Sequence, residues 1–311
     1  MRLLPLLPLA ALSLLLAGGC GGKASKDPNA ANRAVLDKQM ERQDALKAAE
    51  MLDTLPEVEM TATTHEEMGD HYYRKGNLML AYLQYTKALR FDPESTILRY
   101  KLGKLFLRRG MPEEAKEEFL FVLKEEEHPN VFRGLGQARL MLGDLEGAEK
   151  DLQRCLELDA EQWQARNLLG VLYNRTRRYE KAREQFETAL LNKPDAGLLY
   201  NNLGITFLAT ENYEQAIHAF SKALQLGSIE KRTYNNLAVA FAKAGRYEDA
   251  LESFKRGSGP AAAYNNLGYF YSLEGEYDKA AEALKKAVEL SPSYYHKAQE
   301  NLENVENLLQ E

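Results

Sequence analysis

A small residue recurs down this chain at Gly69, Gly103, Gly136, Gly170, Gly204, Ala238 and Gly268, at intervals of 34, 33, 34, 34, 34 and 30 residues. Twelve positions after each stands an alanine: Ala81, Ala115, Ala148, Ala182, Ala216, Ala250 and Ala280. Four further on is a large apolar side chain: Tyr85, Phe119, Leu152, Phe186, Phe220, Phe254 and Leu284. An aromatic follows the small residue by three in six of the seven copies, as Tyr72, Phe106, Tyr173, Phe207, Phe241 and Tyr271, with Arg139 the exception. Pro93, Pro194 and Pro292 close three of the copies. A fixed internal register at this period means that each copy is one supersecondary piece that cannot bury its apolar face alone, so neighbours must stack.

This register resembles the tetratricopeptide repeat (TPR), two antiparallel helices in about 34 residues. The resemblance implies an all-α fold, a right-handed TPR superhelix (α-solenoid) of about seven helix-turn-helix repeats over 62–292, closed by a capping helix over 293–311. The small residues are expected where the two helices of a repeat approach closely, and the aromatics between repeats. Gly76, Gly110, Gly143, Gly245 and Gly275 fall at the turns between helices, where a positive φ suits glycine. The interval of 30 is explained if the second helix of repeat six stops early at Gly257-Ser258-Gly259-Pro260. Four fewer residues is close to one helical turn. A tolerated deletion is the favoured reading of this, a kink or partner notch the other. Tyr294, Ala298, Leu302, Val305 and Leu309 then recur at helical spacing, as a solenoid cap requires.

The chain opens with Arg2 and an apolar run from Leu3 to Ala17. That is shorter than the roughly 20 residues of a spanning helix and fits a secretory signal. It ends in Ala17-Gly18-Gly19-Cys20, which resembles a bacterial lipoprotein signal, although Leu is more usual than Ala three places before the cysteine. The resemblance implies a signal peptide over 1–19 and lipidation at Cys20. With Gly21 rather than Asp next, it implies sorting to the outer membrane, facing the periplasm. The alternative is an ordinary cleaved signal with Cys20 incidental. Acyl chains contribute roughly 0.8 kcal/mol per buried CH₂, so several of them on one cysteine would anchor the protein stably. Residues 20–61 would be the lipidated cysteine and a tether, with an amphipathic stretch from about Ala31 to Leu55 that reads as tether or extra helix.

Acidic residues exceed basic ones by 46 to 40, a net charge of -6, so nucleic acid is not an expected partner. Cys20 and Cys155 exclude a disulfide framework and a four-cysteine metal site. Cys155 stands where alanine is usual between helices and should be buried and inert. His65-Glu66 lacks a second histidine at i+4, so no zinc-protease helix is present, and no phosphate loop or nucleophile elbow occurs. No metal, cofactor or catalytic group is expected; the chain does not read as an enzyme.

In TPR proteins the first helix of each repeat lines a concave groove, its fifth and sixth positions facing inward. Here repeats five to seven read Tyr200-Asn201-Asn202, Tyr234-Asn235-Asn236 and Tyr264-Asn265-Asn266, and Asn167 holds the fifth position of repeat four. An asparagine amide donates and accepts at once, so a stack of them resembles the ladder by which some TPR superhelices hold an extended peptide backbone. Helix-start capping is the competing reason for asparagine here. Repeats two and three offer Lys101, Lys104 and Arg108 on one helix face, with Arg133 in a corresponding place further on. Such a face could receive an acidic segment or a C-terminal carboxylate; solvated charge is the alternative. Repeat one carries Glu66, Glu67 and Asp70, so the dicarboxylate clamp of chaperone-binding TPRs is not present as such. The layout is similar to TPR lipoproteins of Tad-type and type IV pilus systems, which implies a scaffold binding protein or extended peptide, with a secretin or pilus-assembly component as candidate partner. An adaptor for peptidoglycan hydrolases or periplasmic proteases is the other reading.

Overall fold

The computed structural model describes residues 61–227, 230–291 and 296–310. The expected signal peptide, Cys20 and the tether up to residue 60 lie outside them, as do Pro292 and Tyr294. Among the described residues there are fifteen helices and no strand. Two compact units divide them, one up to Leu172 and one from Tyr173. The first holds α1 (Ala62–Arg74), α2 (Leu78–Phe91), α3 (Thr96–Arg109), α4 (Pro112–Val122), α5 (Pro129–Leu142) and α6 (Leu145–Leu158). The division falls within α7 (Trp163–Arg175). The second holds α8 (Tyr179–Asn192), α9 (Gly197–Ala209), α10 (Tyr213–Gln225), α11 (Glu230–Lys243), α12 (Tyr247–Ser258), α13 (Pro260–Leu273), α14 (Tyr277–Leu290) and α15 (His296–Gln310).

Helix ends follow local chemistry. The Asn77 side chain accepts from the Leu80 N–H at 3.1 Å, and the Asp144 carboxylate from the Gly147 N–H at 2.9 Å. Pro112, Pro129 and Pro260 open helices at the position where a missing N–H costs nothing. The turn glycines 76, 110, 143, 245 and 275 all have φ between 73° and 81° or at 85°. Repeats four and five keep the same left-handed turn without glycine, at Arg177 (φ 58°) and Glu211 (φ 61°).

The helices of each repeat are pinned by the small residue. A Cβ placed on Gly103 would lie 2.6 Å from the Phe119 ring, one on Gly204 2.7 Å from the Phe220 ring, and one on Gly268 2.6 Å from Leu284. Gly69 meets Tyr85 in the same way. Tyr85, Phe119, Phe186, Phe220 and Phe254 are in turn among the largest fully buried side chains. Stacking uses the aromatic three residues on. Phe106 lies 5.8 Å from Tyr82 and Tyr271 4.6 Å from Tyr247, each pair joining a first helix to the second helix of the repeat before. In the second unit α15 packs Val305 and Leu302 against Ala280, Ala281 and Leu284, and Ala298 is buried; Leu309 is exposed.

The short interval has a definite form. α12 has 12 residues where α8 and α14 have 14, and Gly259 alone separates it from α13. Gly259 (φ 85°) turns the chain, and Pro260 restarts it. The end of α12 lies so close to α11 that Gly257 leaves no room for a Cβ against Asn235, and Ser258 Oγ hydrogen-bonds Asn235 Oδ1 at 2.7 Å.

Arg139, the departure from the aromatic position, brings its own counter-charges. Its guanidinium pairs with Asp151 at 3.0 Å and Asp144 at 3.6 Å, and donates to the Gly147 carbonyl at 3.3 Å. Asp151 is buried, and burial pushes its carboxyl up to about 6 although Arg139 opposes the shift. Cys155 is buried as well, and burial pushes its thiol up to about 11.

Two outcomes follow for stability. Replacing Arg177 or Glu211 by glycine removes a left-handed penalty and raises the urea unfolding free energy by up to about 1 kcal/mol. A carboxyl whose folded pKa exceeds its unfolded value stabilises fully below the unfolded value and stops doing so as pH rises through the folded one. Unfolding measured from pH 4 to 7 should therefore show wild type losing on the order of 2–3 kcal/mol relative to Asp151→Asn, a shift of about two units at 1.36 kcal/mol each.

Candidate functional site

The site residues expected from sequence stand on first helices, α3, α5, α7, α9, α11 and α13. Glu66 and Asp70 stand on α1, one repeat before Lys101. The Lys101 ammonium lies 2.6 Å from Glu66 Oε1 and 2.6 Å from Asp70 Oδ2. The other Asp70 oxygen accepts from the Tyr85 hydroxyl at 2.8 Å. Burial disfavours the Lys101 cation, but the bonds to Asp70 and Glu66 outweigh it and carry its pKa above the ordinary lysine value. Burial, and then the bond to Asp70, hold the Tyr85 hydroxyl protonated far above its usual range. Arg108 is also engaged, donating to the Tyr73 carbonyl at 2.7 Å with its guanidinium 5.1 Å from the Tyr73 ring.

Lys104 and Arg133 differ. Lys104 Nζ sits over two tyrosine rings, 5.7 Å from Tyr73 and 5.4 Å from Tyr100. Arg133 donates to Asn130 Oδ1 at 2.9 Å. Among the described residues neither forms an ion pair. Burial, then the nearby charge of Arg133, carries the Lys104 ammonium below its ordinary value.

In the second unit the asparagines divide. Asn201, Asn236 and Asn265 are buried. Asn201 Oδ1 accepts from Asn236 Nδ2 at 3.3 Å and from Thr233 Oγ1 at 3.3 Å, and its own amide donates to Asn202 Oδ1 at 3.4 Å. Asn265 Oδ1 accepts from Asn301 Nδ2 of the final helix at 2.9 Å, and its amide donates to Asn266 Oδ1 at 3.5 Å. Asn202, Asn235 and Asn266 are half-buried, with Asn235 accepting from Ser258 Oγ. Asn167 is half-buried on α7.

A common rule lies beneath these contacts. Lys101 and Glu66 are 35 residues apart, as are Asn236 and Asn201. In both cases the sixth position of one repeat bonds the fifth position of the repeat before, so stacked first helices consume these groups between themselves. The register of the repeat carried this signal, as an offset of one repeat plus one residue. The partner rings Tyr73 and Tyr100, the amide donor from Asn301 and the amide pairing of Asn174 with Thr206 (3.0 Å) carried no such pattern.

Asn201→Ala leaves the buried Asn236 amide without this acceptor and should cost about 1–3 kcal/mol in chemical unfolding.

Tetratricopeptide repeat models match residues 163–228 and 195–258, residues 261–294 and residues 100–159. Together they span more than half of the chain. RNA polymerase II-associated protein 3 of Xenopus laevis is 30% identical over 109 residues, which are 35% of this chain and 16% of that protein. The chain therefore matches only about a sixth of that relative's length. A tetratricopeptide repeat protein from Parabacteroides merdae has a similar fold (TM-score 0.54, 21% identity) over 78% of this chain and 98% of its own. So does the APC/C hetero-tetramer Cut9-Hcn1 (TM-score 0.59, 21% identity), over 78% of this chain and 47% of that one. The helix pairs, their small-residue contacts and these matches agree: the chain belongs to the tetratricopeptide repeat family.

Proposed function

We propose that this protein is a lipid-anchored scaffold, held through Cys20 to the outer membrane and facing the periplasm, that binds a partner protein or extended peptide along its first helices. TPR domains mediate protein–protein interaction, and the fold typically serves as a non-catalytic scaffold. The observation that carries the binding reading is the unspent chemistry on the first helices. Lys104 and Arg133 form no ion pair among the described residues, and Asn266 is half-buried, accepting from the amide of the neighbouring Asn265. The anchor rests on the Ala17-Gly18-Gly19-Cys20 sequence. Support of secretin assembly in a pilus system is the proposed role.

Deletion of the gene tests that role. Loss of outer-membrane secretin multimers supports it; normal multimers reject it in favour of an adaptor for peptidoglycan hydrolases or periplasmic proteases. Cys20→Ala should abolish incorporation of radiolabelled palmitate and move the protein from the membrane pellet to the soluble fraction. Unchanged labelling and fractionation would remove the anchor.

A further inference from the structure

In the six later repeats the residue just before the small one is a buried leucine: Leu102, Leu135, Leu169, Leu203, Leu237 and Leu267. The residue four places earlier is buried as well, as at Leu98, Val131 and Ala165. These positions meet the second helix of the repeat before. On α5, Val131 and Leu135 share one buried cluster with Ala115, Phe119 and Val122 of α4. On α1 the same two positions are Thr64 and Met68, and both are only half-buried. Tyr72 continues that face by one turn and is half-buried too. Among the described residues, then, α1 offers the face that elsewhere receives a helix. A solenoid end needs a cap with a polar outer side, and at the other end α15 supplies one through Leu302 and Val305.

The chain ahead of α1 has the pattern to fill that face. Ala115, Phe119 and Val122 stand 21, 17 and 14 residues before Gly136, and Ala48, Leu52 and Leu55 stand 21, 17 and 14 residues before Gly69. With Ala45 these three recur at i, i+3, i+7 and i+10, the spacing of one helix face. Pro56 then stops a helix at Leu55. Six residues, 123–128, join α4 to α5, and six, 56–61, lie between Leu55 and the start of α1. We propose that residues 45–55 form the second helix of a half-repeat, which docks on α1 over Thr64, Met68 and Tyr72 and closes the first end of the solenoid. This goes beyond the scaffold reading; only its consequence for reach rests on the anchor at Cys20. An extended chain spans at most about 3.3–3.6 Å per residue, so a free tether up to α1 would let the repeats stand roughly 140 Å from the membrane. With residues 45–55 docked, the remaining tether spans roughly 80 Å.

The test uses the full chain carrying Cys20→Ala, so that no lipid takes part and the outcome is independent of the anchor. A maleimide dye then reports on a cysteine placed at Met68, the native Cys155 being buried. Met68→Cys should react about tenfold or more slowly than Glu67→Cys, which lies on the exposed side of α1. Adding Leu52→Asp should bring the two rates together, whereas Glu50→Gln, on the opposite side of the proposed helix, should leave Met68→Cys slow. Hydrogen exchange should show residues 45–55 protected, and Met68→Asp should remove that protection while peptides from α3 to α6 keep theirs, which separates undocking from loss of the fold. If Met68→Cys reacts fast with or without Leu52→Asp, or residues 45–55 exchange freely, the face is open and the proposal is overturned. Slow labelling that is relieved by dilution and not by Leu52→Asp overturns it in favour of a second copy seated on α1. Slow labelling that neither dilution nor Leu52→Asp relieves overturns it as well.

Discussion

The contact on which the structure depends is between a residue with no side chain and one of the largest. At Gly69, Gly103, Gly204 and Gly268 the first helix of a repeat comes so close to the second that a single methyl group would overlap Tyr85, Phe119, Phe220 or Leu284. The large residue fills the gap and is fully buried. Protein interiors are packed to crystal density, so neither member can change alone without a void or a clash. With that contact repeated from one helix pair to the next, the remaining core positions find their places, the alanines at the crossing and the aromatics between repeats.

Packing of this kind sets how polar groups can be used. First helices of neighbouring repeats run close enough for side chains one repeat and one residue apart to bond. That is why Lys101 meets Glu66 and Asn236 meets Asn201. A buried amide or ammonium without a partner is costly, and these pairs remove the cost. The same geometry singles out what is left over. Arg133 bonds Asn130 of its own helix, the corresponding place in the next repeat being Leu168, and Lys104 lies over aromatic faces. Where the repeat departs from its own pattern, the departure comes with compensation. Arg139 replaces an aromatic and is matched by Asp151 and Asp144, and Gly257 and Gly259 allow α12 and α13 to follow each other across one residue.

The helix pairs, their turns and the intra-repeat contact were legible in the sequence, because a 34-residue register states which residues share a face before any coordinates are known. Glycine at a turn and glycine at a helix crossing could both be read from position alone. The candidate site was legible only in outline. Asn201, Asn202, Asn235, Asn236, Asn265 and Asn266 look equivalent as a repeated Tyr-Asn-Asn, and Lys101, Lys104 and Arg108 look equivalent as one charged face. Beyond the offset that pairs Lys101 with Glu66 and Asn236 with Asn201, nothing in a linear pattern tells which amide is turned inward.

The sequence by itself determined the fold class, because close packing tolerates only small residues at a crossing and these recur without exception. Only the tertiary structure decided which polar groups are spent. That outcome depends on distances of about an ångström between neighbouring repeats, since hydrogen bonds and ion pairs lose their strength steeply with separation and angle. Asn201 and Asn236 became an internal pair and Lys101 an internal ion pair, while Lys104 and Arg133 form no ion pair among the described residues.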